Sequence, residues 1–182
     1  MPFRLWRTRR AAARTRNQAF TLVELLVVVV LLGILSIAAV PAINASQSMR
    51  SRGATQQMLR DLTFARQRAQ ATGITSWVRF DPVSSAYSVL SESGAGAGRG
   101  TALTITDPAT NAPMAMRLNV AEFSGVTFQV SGLNGNEVGF DRYGRGLLID
   151  TSVMTANATI TLSGGPSVNI TARTGLVLAN FP

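Results

Sequence analysis

The chain has 182 residues, of which 46% are hydrophobic, and its formal net charge is +8. This length suits one ordinary domain with an appendage and is short for two. Cysteine and histidine are absent, which excludes disulfides, Cys/His zinc sites and histidine-based catalytic triads. Every basic residue is an arginine, so a lysine nucleophile or Schiff base is excluded too. We therefore expect that the chain is not an enzyme and binds no cofactor. We also expect no metal site, although a metal held by carboxylates alone is not excluded by the composition.

The positive charge is concentrated at the N-terminus. Six arginines and no acidic residue occur in residues 1–16, whereas residues 70–182 contain six arginines and seven acidic residues, a net of −1. The body of the chain is thus close to neutral, which argues against a general nucleic-acid-binding protein. An arginine cluster before an apolar run is typical of a cytoplasmic membrane anchor.

Residues 20–40 form an apolar run that carries a single charge, Glu24. Twenty-one residues of helix span about 31 Å, close to the thickness of the hydrocarbon core of a bilayer. The preceding arginines predict a cytoplasmic N-terminus and an exported body. A carboxylate inside such a span costs about 2.5–3.5 kcal/mol at mid-depth, so Glu24 calls for a cationic partner.

Type IV pilins and type II secretion pseudopilins begin with a prepilin signal, which resembles the run Ala19-Phe20-Thr21-Leu22-Val23-Glu24-Leu25-Leu26-Val27. The resemblance implies cleavage between Ala19 and Phe20 by a membrane-embedded prepilin peptidase, followed by N-methylation of Phe20. Glu24 then takes the family's fifth mature position, where it neutralises the new amine of a neighbouring subunit. Pro41 takes the position of a helix-kinking proline. The family prefers glycine at the position of Ala19, so we expect slower processing.

Two other N-terminal signals fit less well. A conventional secretory signal would be cut after the apolar run, near Ser36-Ile37-Ala38, and would leave Glu24 unexplained. Arg9-Arg10 suggests a twin-arginine signal, but the residues that follow are poor matches.

Residues 42–72 keep helical spacing as they become polar. Apolar residues recur every three or four positions and predict an amphipathic helix: Ala54, Met58, Leu62, Ala65 and Ala69. Gly73 follows as a C-cap, and Pro41 and Gly53 are predicted sites of bending or loosening. The arginines of residues 50–68 predict a solvated or inter-subunit face, with a phosphate-binding stripe as the alternative.

After Gly73 the spacing changes to that of short strands separated by turns. The predicted strands are 74–80, 86–90, 103–106, 116–120, 126–130, 137–140, 147–150, 158–162, 168–172 and 176–179. Without intervening helices they predict antiparallel sheets packed on the long N-terminal helix, an α+β, pilin-like fold. The Gly/Ala/Ser-rich segment 91–100 is predicted to be a mobile surface loop.

The acidic residues of this region offer few candidates for acid–base catalysis. Asp141 could be paired with Glu137 or with Asp150, but with no histidine or cysteine in the chain we expect all three carboxylates to be edge or turn residues.

The run Leu59-Arg60-Asp61-Leu62-Thr63-Phe64-Ala65-Arg66 and the stretch Val138–Gly144 are similar to the GspH/FimT group of minor pseudopilins. The resemblance implies a cleaved leader over residues 1–19, a transmembrane assembly helix over 20–41, its amphipathic half over 42–72 and a periplasmic β domain over 73–182. It also implies inner-membrane localisation and incorporation into a type II secretion pseudopilus that helps export folded proteins.

The same resemblance implies that the partners are other major and minor pseudopilins, the prepilin peptidase, the inner-membrane assembly platform and the lipid bilayer. The alternative is a FimT-type minor pilin of a type IV pilus that binds DNA during uptake. Members with that role carry a basic Gly-Arg-x-Arg hairpin, where this chain has Arg173-Thr174-Gly175-Leu176-Val177-Leu178. DNA therefore ranks as an unlikely partner.

Overall fold

The computed structural model describes the backbone of residues 21–108 and 110–181, with all of their side chains except those of residues 37–45. It divides between residues 41 and 42 into two compact units. Helix α1, Leu22–Thr72, contributes to both. No helix within the described residues is long and apolar enough to cross a membrane. The predicted leader 1–19, Phe20 and the side chains of residues 37–41 lie outside the described set.

The second half of α1 buries the predicted apolar stripe completely, since all five of its residues have 0% exposure. The helix ends at Thr72, where Gly73 adopts a φ of 69° and donates its N–H to the Ala69 carbonyl at 3.0 Å. This left-handed C-cap confirms the predicted stop signal. Gly53 does not interrupt the helix, which runs unbroken from Leu22 to Thr72.

Ten strands follow the helix in the part of the second unit that the structure describes. In chain order they are β1 Ser76–Asp81, β2 Ala86–Ser91, β3 Leu103–Thr104, β4 Ala115–Arg117, β5 Phe128–Ser131, β6 Glu137–Phe140, β7 Gly146–Leu147, β8 Ala158–Leu162, β9 Ser167–Ile170 and β10 Val177–Asn180. The first sheet has the order β3-β2-β1-β6-β7 with β4 also on β2, and the second has the order β10-β9-β8-β5. All of these pairings are antiparallel.

One hydrophobic core joins the stripe of α1 to both sheets. It includes Val78 and Val89 from the first sheet and Ile160 and Val168 from the second. Burial of these side chains supplies the main favourable term for folding. The prediction of an α+β fold, with a helix packed on antiparallel sheets, is confirmed.

The predicted strand 147–150 is wrong beyond Leu147. Thr151 donates its N–H to the Leu148 carbonyl at 2.8 Å, which closes a turn. Asp150 accepts hydrogen bonds from Ser152 within that turn. Local side-chain to backbone bonds of this kind compete with strand pairing, because they satisfy the backbone without a neighbour.

Two further expectations need correction, and both concern the face of the first sheet that points away from the helix. Glu137 is not an edge or turn residue, because β6 lies between β1 and β7 and the residue is 3% exposed. The segment 91–100 is not a free surface loop. Trp77 Nε1 donates to Glu92 at 3.0 Å, and Arg99 pairs with Glu137. The two carboxylates anchor the segment over the sheet.

Candidate functional site

The start of α1 is fixed by a capping interaction. The N–H of Glu24 donates to the Thr21 hydroxyl at 3.2 Å, and the N–H of Leu25 donates to the Thr21 carbonyl at 3.1 Å. Thr21 is therefore the N-cap, and Glu24 is the third helical residue, the spacing of a capping box. Thr-x-x-Glu was readable in the sequence, and our sequence analysis missed it. The helix thus begins two residues after the predicted cleavage point.

Glu24 stands in an exposed, apolar surface. Within the first unit the large apolar side chains from Leu22 to Leu35 are all exposed, from 82% at Leu22 to 44% at Val28. A carboxylate in the first turn interacts favourably with the positive end of the helix dipole, by about 0.3–1 kcal/mol. An apolar helix that is exposed all round requires a covering environment, either lipid or other helices.

Of the predicted site residues, only Glu24 has its side chain within the described part of the structure. Glu24 is described with its side chain in the first turn of α1. Ala19 and Phe20 lie outside the described residues, and so does the side chain of Pro41. The cleavage, N-methylation and proline-kink predictions therefore stay predictions.

A buried acid connects the second half of α1 to β2. Asp61 accepts a hydrogen bond from the Tyr87 hydroxyl at 2.6 Å and two from the Gln57 amide at 3.0 and 3.2 Å. Burial raises the pKa of Asp61, and the hydrogen bonds oppose that rise only in part. Burial also raises the pKa of Tyr87, so its hydroxyl remains a donor at every physiological pH. The pair ties the helix to the sheet.

The pair borders a cavity of about 310 Å³, whose lining also includes Asp107 and Thr110. Two carboxylates at one cavity raise the question of a metal. Across residues 21–108 and 110–181, however, no group of three potential metal ligands of the His, Cys, Asp or Glu type is found. The cavity thus offers no built metal centre within that part of the chain.

A second buried acid holds two arginines. Glu137 accepts hydrogen bonds from Arg79 and from Arg99, the latter through both carboxylate oxygens. Burial alone would raise the pKa of Glu137, but the bonds from the two guanidinium groups outweigh it and lower the pKa below its usual value. The Arg99 guanidinium also lies 5.7 Å from the Trp77 ring centroid. This cluster is structural, since every group in it is satisfied by another.

An exposed basic turn lies between β6 and β7. Tyr143 is 61% exposed, and the guanidinium carbons of Arg142 and Arg145 lie 4.9 and 5.1 Å from its ring centroid. Arg145 also pairs with Asp141 at 2.7 Å, and Asp141 accepts the turn N–H groups, as a turn residue should. Sequence analysis missed this cluster because it weighed net charge over long segments.

The turn is held against α1 and against the β9–β10 connection. Arg66 donates from Nε to the Gly144 carbonyl at 3.0 Å and from Nη2 to the Thr174 carbonyl at 3.3 Å. A Cβ on Gly175 would lie 2.2 Å from the Gly144 carbonyl oxygen. Arg66 is therefore a connector between three elements. The prediction of a solvated or inter-subunit arginine face is wrong at this position, because Arg66 bonds within its own chain.

Comparison with known protein families gives a match at the N-terminal end of the chain. The family model for the prokaryotic N-terminal methylation motif matches residues 14–40, which confirms the predicted prepilin-type signal. A search of the curated proteins finds no match to this chain.

Among solved structures, two of the minor pseudopilin EpsH from the type II secretion system of Vibrio cholerae resemble this chain. One has a TM-score of 0.54 and 13% identity over 74% of this chain and 96% of EpsH. The other has a TM-score of 0.53 and 12% identity over 73% of this chain and 98% of EpsH. The type IV minor pilin FimU of Pseudomonas aeruginosa has a TM-score of 0.45 and 13% identity over 71% of this chain and 91% of FimU. At these identities the EpsH matches establish a shared fold, which is the predicted pilin-like one.

Proposed function

We propose that this chain is a structural subunit of the pilin-like class, a minor pseudopilin that is built into a filament through its N-terminal helix. One observation carries the proposal. A capped helix starts two residues after the predicted cleavage point, is apolar and exposed on all sides, and presents one carboxylate in its first turn. The N-terminal methylation motif and the EpsH-like fold support the same conclusion.

Removal of the leader between Ala19 and Phe20 would create a cationic amine at the positive end of the α1 dipole. That end already disfavours a cation, so the amine gains from an anionic partner. Two opposite charges about 4 Å apart attract by several kcal/mol when water is excluded. Glu24 of one subunit would therefore pair with the methylated Phe20 amine of the next. The same pairing would fix the axial stagger of neighbouring subunits.

The EpsH-like fold supports one choice of the system that uses this subunit. We propose a type II secretion pseudopilus, in which the chain helps to export folded proteins. The apolar run of residues 20–40, of which Phe20 and the side chains of residues 37–40 lie outside the described residues, would anchor the subunit in the inner membrane. The N-terminus would be cytoplasmic and the β domain periplasmic. Its partners would be other pseudopilins, the prepilin peptidase and the inner-membrane assembly platform.

The test is charge removal at Glu24. We expect Glu24→Gln and Glu24→Ala to be cleaved and retained in the membrane but to be absent from sheared filaments, since the amine loses its counter-charge. Glu122→Gln, which removes an exposed acid from the second unit, is the matched control and should incorporate normally. Intact mass of the extracted protein should show loss of residues 1–19 and one added methyl group. Normal incorporation of both Glu24 variants would refute the pairing.

A second candidate function, capture of DNA, is favoured by the basic turn around Tyr143. An exposed ring with two guanidinium groups beside it combines an aromatic surface with positive charge, the pattern used for single-stranded nucleic acid. We expect such binding to weaken steeply with salt and to be lost in Arg142→Ala and Tyr143→Ala. A gel-shift assay of the detergent-extracted chain decides this. Failure of single-stranded DNA to bind at low salt would remove the candidate.

A further inference from the structure

Strand β10 forms one edge of the second sheet, and within the described residues it pairs with β9 alone. The Thr171 N–H donates to the Leu176 carbonyl at 2.8 Å, so this facing pair is a hydrogen-bonded one. Facing pairs alternate in an antiparallel ladder. The register of Val177 on Ile170 and Ala179 on Val168 therefore turns the N–H and C=O groups of Val177 and Ala179 away from β9, toward the open edge.

The exposed side chains along this edge are mostly apolar, with Asn180 as the polar exception. Leu176, Leu178 and Phe181 are exposed, Leu178 by 52%, and no charged residue occurs from Thr174 to Phe181. Proteins usually blunt an edge strand with a charge, a proline, a bulge or a very short length. The four residues of β10 keep a regular register and include no charge, proline or bulge. A glycine bulge at Gly175, opposite Thr171, lies in the turn before the strand.

The edges of the first sheet differ in this respect. β3 and β7 have only two residues each, and β4 has three and carries an arginine, Arg117. Short or charged edges offer little to an incoming strand. The other edge of the second sheet, β5, is also four residues long, but its exposed side chains are the polar Gln129 and Ser131. The exposed apolar side chains therefore distinguish β10 from the other edges.

We propose that β10 receives an extended, uncharged segment of an adjoining and different filament subunit, which adds to the second sheet as a further strand. The proposal rests on the filament function proposed above. Only an extended chain matches outward N–H and C=O groups that recur at every second residue. An uncharged segment fits because no charge along β10 could compensate a buried one.

The geometry of the proposed filament decides against a second copy as the occupant. Pairing of β10 with its own copy would be isologous and would require a two-fold axis. Subunits that pack their N-terminal helices in parallel are related by a rise and a rotation, which make heterologous contacts. The strand that meets β10 must therefore come from a different surface of another subunit. Because a minor pseudopilin is sparse in its filament, that adjoining subunit is a different chain.

One variant tests the backbone pairing directly. Ala179→Pro removes an N–H that β9 does not use, and prolines are tolerated at that type of edge position. We expect the full-length variant to keep its denaturation midpoint and its membrane retention. Its incorporation into filaments should fall by about tenfold, because the variant loses one hydrogen bond to the added strand and the proline ring distorts the adjacent one. Val130→Pro, on β5 at the other edge of the same sheet, is the control and should incorporate like the unmodified chain. The Ser163 N–H donates to the Thr127 carbonyl, so by the same alternation the Val130 N–H points away from β8.

A second measurement does not depend on how proline is tolerated. Photo-reactive benzoylphenylalanine replaces Leu178 in the full chain, and in the control it replaces Leu103, which is 75% exposed on β3. Irradiated filaments should give an adduct from position 178, mapped by mass spectrometry to an uncharged extended segment of one other subunit. Position 103 should not give that adduct.

The outcomes separate this proposal from the one it rests on. If the Glu24 variants behave as expected while position 178 yields no adduct and Ala179→Pro incorporates fully, the strand-addition proposal alone is overturned. An adduct between position 178 and a second copy of the chain also overturns it. A chain that never enters a filament overturns both proposals.

Discussion

Substitution of Tyr87 by phenylalanine tests the buried link between α1 and the first sheet. The ring and its packing remain, and only the hydroxyl that donates to Asp61 at 2.6 Å is removed. A hydrogen bond to a buried charged partner contributes about 1.5–3 kcal/mol. Asp61 is 7% exposed and keeps the Gln57 donor. We expect Tyr87→Phe to lower the free energy of unfolding by about 2 kcal/mol at neutral pH.

The size of this effect should depend on pH. The folded-state pKa of Asp61 lies above its ordinary value of 3.8, so its stabilising contribution is complete below that value and is lost as pH rises through the folded pKa. Loss of the Tyr87 donor raises the pKa of Asp61 further and enlarges the loss at neutral pH. Below the ordinary value the carboxyl is neutral, and the lost bond is worth about 1 kcal/mol. Glu137 titrates in both proteins, so its contribution cancels in the difference.

The assay is guanidinium unfolding followed by Trp77 fluorescence, in detergent and in a Trp6→Phe background that leaves Trp77 as the single tryptophan. The midpoint and slope are compared at about pH 7 and about pH 3. In an Asp61→Asn background the cost of Tyr87→Phe should become small and independent of pH, which completes a double-mutant cycle. An equal cost at both pH values, or with and without the Asp61 carboxylate, would refute this reasoning.

Two further predictions concern the packing of the sheet domain. Arg99→Ala should lower the free energy of unfolding by about 2–3 kcal/mol and shift Trp77 emission to the red, because the 15% exposed Arg99 side chain holds segment 91–100 on Glu137. Arg79→Ala, at a 55% exposed side chain, should lower it by less than about 1 kcal/mol. Equal costs for the two substitutions would contradict this assignment. Gly175→Ala should cost more than about 3 kcal/mol, because φ is 60° and the new Cβ would lie 2.2 Å from a carbonyl oxygen. Gly94→Ala, where a Cβ meets nothing within 4 Å, is the control, and a small cost for both substitutions in the unfolding assay would count against this reasoning.

The sequence by itself was sufficient for the long-range plan of the chain. The 3.6-residue spacing of the apolar stripe predicted the buried face of α1, and the change to two-residue spacing after Gly73 predicted the sheets. A periodic burial pattern repeats over many residues, so it is robust to local errors. The prepilin-type signal was identified by the resemblance of residues 19–27 to the signal of known pilins, after the charge of Glu24 in an apolar run had marked that segment as unusual.

The local and tertiary details were decided only when the chain had folded. Segment 91–100 reads as a flexible linker by composition, yet Glu92 and Arg99 reach partners in β1 and β6 that are distant in sequence. The Asp61–Tyr87 bond joins residues 26 positions apart. None of these three contacts leaves a signature in the local sequence, because a hydrogen bond between distant residues depends on which strands become neighbours. Periodicity thus determined which faces are buried, and sheet order determined which polar groups meet on them.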